Sequence, residues 1–237
     1  MRMRKKKNGE SRLLACSHLL VEKGDTPREN TLADFGRKTP VWLEIGAGKG
    51  GFALEMSRQN PEISYYAMER VSDCVVLAAE AAVASADERP DNLRFIVGNA
   101  DNLAEYFAPA SVSRIFLNFS DPWSKKGYRK RRLTYRKYLA LYFTLLEDGG
   151  ALRFKTDNKD LFEFSLEEIA SMGLTPDIVT YDLHNSPYNE GNVRTEYENN
   201  FAAQGMNIHM LEVKKPSGYV PVVVEEKKHA QSTEDER

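Results

Sequence analysis

Short apolar runs alternate with stretches of helical spacing along most of this chain, and that alternation restricts the possible folds. The apolar runs predict seven strands, at residues 41–45, 63–68, 93–97, 114–118, 151–155, 178–183 and 208–213. Helical spacing predicts helices at residues 51–59, 72–86, 135–146 and 161–172. We expect Ser72 to cap the second helix, and Gly149-Gly150 to separate the third helix from the fifth strand. The pattern predicts an α/β fold with a doubly wound, mostly parallel seven-stranded sheet covered by helices on both faces.

The 237 residues are enough for one core with short flanking segments. We predict a basic N-terminal arm that orders on binding and a helical lead-in over residues 1–38, the α/β domain over 39–214, and a charged, disordered tail over 215–237. No apolar run approaches the roughly 20 residues that span a bilayer, so we expect a cytoplasmic protein without membrane contact. Cys16 and Cys74 fit neither a disulfide framework nor a metal-ligand pattern, so we expect reduced thiols and no metal.

The charge of the chain is unevenly distributed, although its formal net value is only −2. Basic residues cluster at positions 2–7 and 125–132, and an acidic C-terminal end offsets them in the total. The cations of the second cluster are suited to backbone phosphates, which they neutralise without reading a sequence. The net charge therefore argues against a globally basic nucleic-acid binder but not against a local contact.

The first predicted strand runs into a tight glycine turn that opens a helix, which is typical of a cofactor loop. Gly46 and Gly48 allow positive φ angles and leave room for a ligand. The same spacing satisfies a dinucleotide fingerprint, which would bring a pyrophosphate to the turn. Glu44 would repel that pyrophosphate, whereas a carboxylate stabilises the sulfonium and ammonium groups of S-adenosylmethionine. The loop therefore favours S-adenosylmethionine over NAD.

Two polar residues follow predicted strands at the same edge of the sheet. Glu69 ends the second strand, where a carboxylate can accept both ribose hydroxyls; a solvated strand-end glutamate is the alternative. Asn99 follows the third strand, where its side-chain oxygen could read the adenine amine; an ordinary turn asparagine is the alternative.

The segment after the fourth strand carries acidic, aromatic and basic residues at the carboxyl edge, where open α/β sheets bind ligands. Asp121 stands in a Ser-Asp-Pro-Trp corner, and Trp123 could stack on a base. The cations of residues 125–132 follow directly. A basic run is most often a solvated surface, but its position after this corner favours a substrate contact.

Four stretches carry a more specific signal when they are taken together. They are Glu44-Ile45-Gly46-Ala47-Gly48-Lys49-Gly50, Asn118-Phe119-Ser120-Asp121-Pro122-Trp123 with its basic continuation, Phe154-Lys155-Thr156-Asp157-Asn158, and Thr195-Glu196-Tyr197-Glu198. Together they resemble the bacterial tRNA (guanine-N7-)-methyltransferase family, in a similarity that covers residues 1–214. The first motif is generic to methyltransferases, whereas the other three in this order are highly specific. The resemblance implies the Rossmann-like class I methyltransferase fold, S-adenosylmethionine as donor, and a tRNA substrate methylated at N7 of the variable-loop guanosine 46.

The resemblance also implies roles for individual residues. The cofactor contacts are Glu44, Gly46, Gly48, Glu69, Asn99 and Asp121, the last also at the reaction centre. The guanosine contacts are Lys125, Asp157, Thr195, Glu196, Tyr197 and Glu198. The RNA-backbone contacts are Lys126, Arg129, Lys130, Arg131 and Arg132. The chain departs from the family pattern at Asn99, commonly Asp, at Ser124, often Pro or His, and at Gly127-Tyr128, often Arg-His.

The chemistry of guanine N7 sets what such a site must do. N7 has an in-plane lone pair and no proton, so transfer needs alignment rather than an obligatory general base. We expect Asp121 to align the purine and, with Asp157, to stabilise the positive charge that develops on it. We expect Lys125 to hold guanine O6 or a phosphate, and Glu198 to accept hydrogen bonds from N1 and N2.

Three rival classes are disfavoured by particular residues. Amino-group methyltransferases carry two prolines after the fourth strand, whereas Ser120-Asp121-Pro122-Trp123 has one. A non-catalytic RNA-binding protein could keep the fold, but the retained Glu44, Glu69 and Asp121 argue against it. The acidic residue before the glycine loop disfavours an NAD-dependent oxidoreductase. We expect a monomer or a homodimer, between which the sequence does not decide.

Overall fold

A computed structural model describes residues 6–85 and 91–222 of the chain. Its strands are β1 (Val41–Ile45), β2 (Ser64–Glu69), β3 (Leu93–Val97), β4 (Val112–Asn118), β5 (Leu146–Thr156), β6 (Ile178–Thr180) and β7 (His209–Lys214). They form one sheet in the order β3-β2-β1-β4-β5-β7-β6, in which β7 runs antiparallel to β5 and β6 and the other pairs are parallel. The predicted doubly wound, mostly parallel seven-stranded sheet is confirmed.

Helices cover both faces of this sheet. They are α1 (Gly9–Ala15), α2 (Leu32–Phe35), α3 (Gly51–Gln59), α4 (Ser72–Ala84), α5 (Leu103–Tyr106), α6 (Arg136–Leu145), α7 (Lys159–Ser171) and α8 (Glu196–Ala202). One core cluster joins the sheet to α6 and α7, and a second joins the opposite face to α3 and α4. Within the described residues, no helix is both long enough and apolar enough to cross a membrane.

The start of β5 differs from the prediction. We expected Gly149 and Gly150 to separate a helix from the strand, but β5 begins at Leu146, directly after α6. Gly149 has a φ of 79°, and the register of β5 against β4 shifts in this region. A Cβ at Gly150 would lie 2.9 Å from the Glu147 carbonyl oxygen. The glycines therefore accommodate an irregularity inside the strand, as glycines in strand interiors often do.

Two other predictions about local structure are corrected. Ser72 is not a cap: Val71 is the N-cap residue of α4, with no side-chain cap, and Ser72 is the first helical residue. That helix ends at Ala84, and residue 86 of the predicted range lies outside the described residues. The sixth strand ends at Thr180 because a 3-10 turn begins at Leu183.

The segment before β1 packs on the domain from residue 6 onward. Arg12 of α1 forms an ion pair with Glu80 of α4, 2.6 Å between Nη2 and Oε2. Further along, the Val21 amide donates to the Phe95 carbonyl of β3 at 2.9 Å. Residues 1–5 of the predicted arm lie outside the described residues. The domain boundary at residue 38 stays a prediction.

The chain after β7 also packs on the domain, so a disordered tail beginning at residue 215 is wrong for its first residues. Buried Lys215 donates from Nζ to the Leu146 carbonyl at 2.7 Å. The hydroxyl of Tyr219 donates to the Met172 carbonyl at 2.9 Å, and its ring contacts Phe143 edge-on. The rest of the predicted tail, residues 223–237, lies outside the described residues.

Candidate active site

The strand order places two loops at one crevice. From β1 the chain proceeds outward through β2 and β3, then returns across the sheet to β4 on the other side of β1. In open α/β sheets, ligands bind in the crevice outside the carboxyl ends of the strands where this order reverses. The glycine loop after β1 and the Asp121 corner after β4 therefore flank the same crevice.

The loop between β1 and α3 exposes backbone to this crevice. Gly46, whose amide donates to the Met68 carbonyl at 2.8 Å, has a φ of 83°, and Gly48 has a φ of 56°. A Cβ built on either glycine would meet no atom within 4 Å. Positive φ, and not packing, therefore requires glycine there. At Gly50, by contrast, a Cβ would lie 2.7 Å from that of Ala78, so this glycine lets α3 approach α4.

Glu69 borders the glycine loop at the end of β2. Its Oε2 accepts from the Gly48 amide at 3.0 Å and its Oε1 from the Val71 amide at 2.8 Å. The carboxylate is partly exposed, and each oxygen keeps a further acceptor site. Glu69 is thus placed where a ribose contact is possible, and that contact stays a prediction.

Glu44, the fourth residue of β1, is buried. The residue is 2% exposed, and its Oε1 accepts from Asn118 Nδ2 at 2.9 Å. Its Oε2 is buried with no hydrogen-bond partner among the described residues. Burial raises the pKa of Glu44 to about 7, although the Asn118 hydrogen bond and the charge of Lys155 oppose the change. The burial does not support the predicted direct contact with the cofactor.

Asn99 lies exposed at the end of β3, and its side chain serves the local turn. Its Oδ1 accepts from the Asp101 amide at 3.4 Å, and its Nδ2 donates to Asp101 Oδ2 at 3.2 Å. Asp101 is bound in turn by Lys137. These contacts favour the ordinary turn role, and adenine recognition stays a prediction.

The corner after β4 contains two residues in left-handed backbone conformations. Phe119 has a φ of 51° and Trp123 a φ of 42°, a region that costs a residue with a side chain roughly 1–2 kcal/mol. Such backbone persists only where its surroundings hold it, and it clusters at functional sites. Asp121 lies between these two residues and is exposed.

Arg132 holds this corner. Its Nε donates to the Pro122 carbonyl at 2.8 Å, and its guanidinium lies 4.4 Å from the ring centre of Phe164. The residue is 8% exposed, and burial lowers its pKa. The low exposure of Arg132 does not support the predicted RNA contact, which stays a prediction.

The other cations of the segment divide by exposure. Lys125, Lys130 and Arg131 are exposed, and they form a basic surface beside the corner. Arg129 is partly buried against an aromatic ring of α7. The side chain of Lys126 lies outside the described part of the structure.

The face of Trp123 already has an aromatic and a cationic neighbour. The guanidinium of Arg131 lies 5.1 Å from the centre of the Trp123 ring, and Tyr128 contacts that ring edge-on. Stacking of Trp123 on a base would therefore compete with Arg131.

Asp157 lies next to the corner through the pairing of β4 with β5. The Phe119 amide donates to the Lys155 carbonyl at 2.9 Å, which extends the ladder beyond the end of β4. Asp157 directly follows the last residue of β5 and is partly exposed. The two carboxylates predicted to act on the purine, Asp121 and Asp157, thus leave adjacent strands at the same edge.

A buried ion pair that we did not predict underlies the predicted guanosine stretch. Lys155 Nζ lies 2.6 Å from Glu198 Oε2, and the two side chains are 1% and 0% exposed. Glu198 Oε1 accepts from Asn192 Nδ2 at 2.7 Å and contacts His184 Nε2 at 2.8 Å. Burial alone would raise the pKa of Glu198, but Lys155 and the hydrogen bonds from His184 and Asn192 hold it below its usual value. Glu198 is therefore ionised.

This burial corrects the role of Glu198. A carboxylate with no exposed surface, whose two oxygens already accept from the protein, cannot reach guanine N1 and N2 in this arrangement. Its partners belong to β5 and to the loop before α8. Glu198 therefore joins these segments in the structure.

The other three residues of the stretch have three different environments. Buried Thr195 caps α8 by accepting from the Glu198 amide at 2.9 Å, one half of a capping box. Exposed Glu196 accepts from Lys49 Nζ of the glycine loop at 3.0 Å. Tyr197 is 57% exposed and stacks on Phe201. Tyr197 and Glu196 can thus face a substrate, and the predicted guanosine contact of the largely buried Thr195 stays a prediction.

Within the described chain, no cluster of three or more His, Cys, Asp or Glu side chains could hold a metal ion. Cys16 and Cys74 are free cysteines.

Comparison with known proteins decides the family. The family model described as "Putative methyltransferase" matches residues 38–211. A tRNA (guanine-N(7)-)-methyltransferase of Halalkalibacterium halodurans is 40% identical over 212 residues, which cover 90% of this chain and 94% of that protein. One of Limosilactobacillus reuteri is 41% identical over 211 residues, covering 89% and 98%. The chain belongs to the tRNA (guanine-N7-)-methyltransferase family. Its methyl donor is S-adenosylmethionine.

Solved structures support the class I methyltransferase fold of this family. An antibiotic-related methyltransferase matches with a TM-score of 0.57 at 16% identity, over 82% of this chain and 98% of that one. The 16S rRNA methyltransferase KamB matches with a TM-score of 0.58 at 15% identity, over 83% and 96%. At these identities the likeness concerns the fold alone.

The sequence did not indicate three structural features near the predicted site. Lys155 stands in a quoted motif, but nothing in its spacing indicated burial. Arg132 ends a basic run and carried no signal that separates it from its exposed neighbours. Phe201 stacks between Tyr197 and Phe119, a contact between distant segments that no local pattern predicts.

Proposed function

We propose that this chain transfers the methyl group of S-adenosylmethionine to N7 of guanosine 46 in the variable loop of tRNA. The observation that carries the proposal is the strand order, which brings the glycine loop after β1 and the exposed Asp121 corner after β4 to the same carboxyl edge. A basic surface of Lys125, Lys130 and Arg131 lies beside the corner. Such a surface suits the phosphates of an RNA substrate.

The glycine loop fits the methyl donor. At Gly46 and Gly48 the positions of missing Cβ atoms are open, so a ligand can approach the backbone. Glu69 supplies a carboxylate with free acceptor sites at the loop border, suited to ribose hydroxyls. When bound, S-adenosylmethionine supplies the methyl group on a positively charged sulfur. Glu44 is 2% exposed, and its pKa of about 7 leaves it only partly ionised near neutral pH, so we assign it no direct contact with the donor.

The chain's own contribution to transfer is alignment and charge stabilisation. Guanine N7 needs no base, so the site must hold the purine in line with the methyl group, an effect worth up to roughly 7–11 kcal/mol. Positive charge moves onto the purine during transfer, and the Asp121 and Asp157 carboxylates stabilise it there. The strained corner keeps Asp121 exposed at this edge.

The proposed target is an exposed base. A-form helices bury N7 in a deep, narrow groove, whereas a loop nucleotide presents that edge. Tyr197, largely exposed beside the crevice, offers a ring on which an unstacked base can lie. We also propose that the protein acts in the cytoplasm, as a monomer or a homodimer.

The test is site-specific cleavage of the product. Unmodified tRNA is incubated with labelled methyl donor and then treated with borohydride and aniline, which cut the strand at 7-methylguanosine. Scission at the variable-loop guanosine, in proportion to the label, is the expected result. Labelling without scission would show a different acceptor atom. Tight tRNA binding with neither label nor donor binding would identify a non-catalytic RNA-binding protein.

A further inference from the structure

We propose that Lys155 is a positioning residue for the guanosine side of the site: through Glu198 it holds the first turn of α8 between the glycine loop and the Asp121 corner. The inference rests on the proposed function, since it concerns the same tRNA reaction. Lys155 touches neither substrate in this role.

The ammonium group of Lys155 is fixed in three directions. Its Nζ donates to Glu198 Oε2 at 2.6 Å, to the Val193 carbonyl at 3.0 Å and to Asn192 Oδ1 at 3.1 Å. An ammonium has three donors, so all of them are used. Nζ also lies 5.1 Å from the ring centre of Phe52, the second residue of α3. Lys155 thus joins β5, the loop before α8 and the helix that follows the glycine loop.

Glu198 transmits this constraint to α8. Its amide donates to the Thr195 hydroxyl at 2.9 Å, and its Oε2 lies 3.4 Å from the Thr195 amide, which completes the capping box. The carboxylate that Lys155 binds therefore also accepts from the Thr195 amide at the start of the turn, while the backbone amide of Glu198 donates to the cap hydroxyl.

The first turn of α8 contacts both sides of the crevice. Glu196 binds Lys49 in the glycine loop at 3.0 Å. Tyr197 stacks on Phe201, whose ring stacks on Phe119 of the corner with 6.2 Å between centres. Movement of Glu198 would displace both contacts.

The exposed contact cannot hold α8 in place alone. The side chains of Lys49 and Glu196 are 53% and 64% exposed, and ion pairs so open to solvent contribute little. The Lys155–Glu198 pair is buried and short, so it is the stronger of the two charged contacts that hold α8. The position of Tyr197 therefore depends on Lys155, although the two residues lie on different elements.

The test separates tRNA binding from donor binding. The double variant Lys155→Met/Glu198→Leu removes both charges together, so that no unpaired charge remains buried. Calorimetry measures donor affinity, and filter binding and steady-state kinetics measure Kd and KM for tRNA. We expect donor affinity within threefold of the wild type and at least a tenfold rise in Kd and KM for tRNA. The matched control is Arg153→Met/Glu212→Leu, which removes the ion pair between β5 and β7. It should change neither donor affinity nor tRNA affinity.

Two results would overturn the inference. They are tRNA affinity within threefold of the wild type and a parallel loss of donor affinity.

A further variant guards against a double variant that does not fold. Lys155→Arg keeps the charge, but a planar guanidinium cannot reproduce the three donor directions of the ammonium. It should weaken tRNA binding at least threefold with donor affinity retained, and unchanged tRNA binding would contradict the inference. If the wild type gave no scission in the variable loop, the proposed function would be wrong. This result differs from every result that contradicts the role of Lys155, so the two failures are distinguishable.

Discussion

At the scale of single residues, buried charge determines how this protein responds to pH and to substitution. Glu44 and Glu198 are both buried, yet the surroundings of Glu44 raise its pKa and those of Glu198 lower it. Glu198 faces an ammonium and stays ionised, whereas Glu44 has an amide neighbour and one unpaired oxygen. Desolvation therefore dominates at Glu44 and favours its protonated form.

Stability should fall as the pH rises through the range in which Glu44 ionises. Its pKa is about 7 in the folded protein against 4.5 ordinarily, so between these values the folded state binds more protons than the unfolded one. The stabilisation is complete below pH 4.5 and lost by about pH 7, and it amounts to about 3 kcal/mol. Urea unfolding from pH 4.5 to 8 should show this slope in the wild type and lack it in Glu44→Gln. Equal slopes in the two proteins would contradict the prediction.

Asp121→Asn should lower the rate of methyl transfer while sparing donor binding. The amide keeps the shape of the side chain but removes the charge that stabilises the developing purine cation, a loss of roughly 10²-fold in kcat. Single-turnover kinetics with saturating donor, beside calorimetry of the donor, is the measurement. Lost donor binding with a normal rate from bound donor would assign Asp121 to the cofactor alone.

The sequence predicted where site residues stand along the chain better than how deeply they lie. Gly46, Glu69 and Asp121 follow strands, and parallel strands share one carboxyl edge, so their common location could be derived. The depths of Glu198 and Arg132 could not, because charged residues are usually exposed and their partners come from distant segments. One sequence without those contacts gives no signal of burial.

At the scale of elements, the apolar strands were predictable and the short helices were not. A strand covered on both faces is a nearly continuous apolar run, and β1 and β3 each carry one charged residue among apolar ones. Helices α5 and α8 have four and seven residues, too few for a helical period to appear. The strand β5 also includes Gly149-Gly150, with an irregular register, although this pair resembles a break on sequence grounds.

The neighbours Arg131 and Arg132 should respond differently to the same change. Arg132→Gln loses charged hydrogen bonds that hold the corner and should cost about 1.5–3 kcal/mol of unfolding free energy. Exposed Arg131→Gln should leave stability within about 0.5 kcal/mol. It should instead weaken tRNA binding. The slope of log K against log salt concentration should fall in magnitude by about 0.7–0.9, the value for one lost phosphate contact. Urea unfolding and binding at several salt concentrations measure both effects, and a reversed pattern would refute the assignment.

Thr195→Ala should destabilise the first turn of α8. Loss of a threonine N-cap costs about 1 kcal/mol, and the hydrogen bond lost here is the one that the Glu198 amide donates to the Thr195 hydroxyl. We expect KM for tRNA to rise while donor affinity stays constant, measured by steady-state kinetics and calorimetry. Thr195→Ser, which keeps the capping hydroxyl, should restore the wild-type KM; if it does not, the cap is not the cause.

At the scale of the whole molecule, both flanks of the sheet strengthen the domain. The N-terminal segment lies along β3, and the chain after β7 crosses toward α6 and α7. Composition alone assigned these flanks to an arm and a tail, because polar residues conceal the few apolar anchors. The anchors of the first flank are the buried Cys16, Leu19 and Val21, and Tyr219 of the second flank packs against the core.

Tyr219 should contribute measurably to global stability. Tyr219→Phe loses the hydrogen bond to Met172 and should cost about 1 kcal/mol. Tyr219→Ala also loses the ring contact with Phe143 and should cost about 3 kcal/mol. Urea unfolding is the measurement, with tRNA affinity as the control that should not change. Alanine and phenylalanine variants of equal stability would show that the ring does not pack in solution.

The antiparallel direction of β7 has a practical consequence. Its last residue, Lys214, pairs with Ala151 near the start of β5, so the chain leaves the sheet at the end remote from the crevice. A fluorophore or a surface anchor attached at Val220, whose side chain is 76% exposed, would therefore sit on the far pole of the molecule. An enzyme immobilised through Val220 would expose the carboxyl edge of its sheet to solution. Binding and release of single tRNA molecules could then be observed.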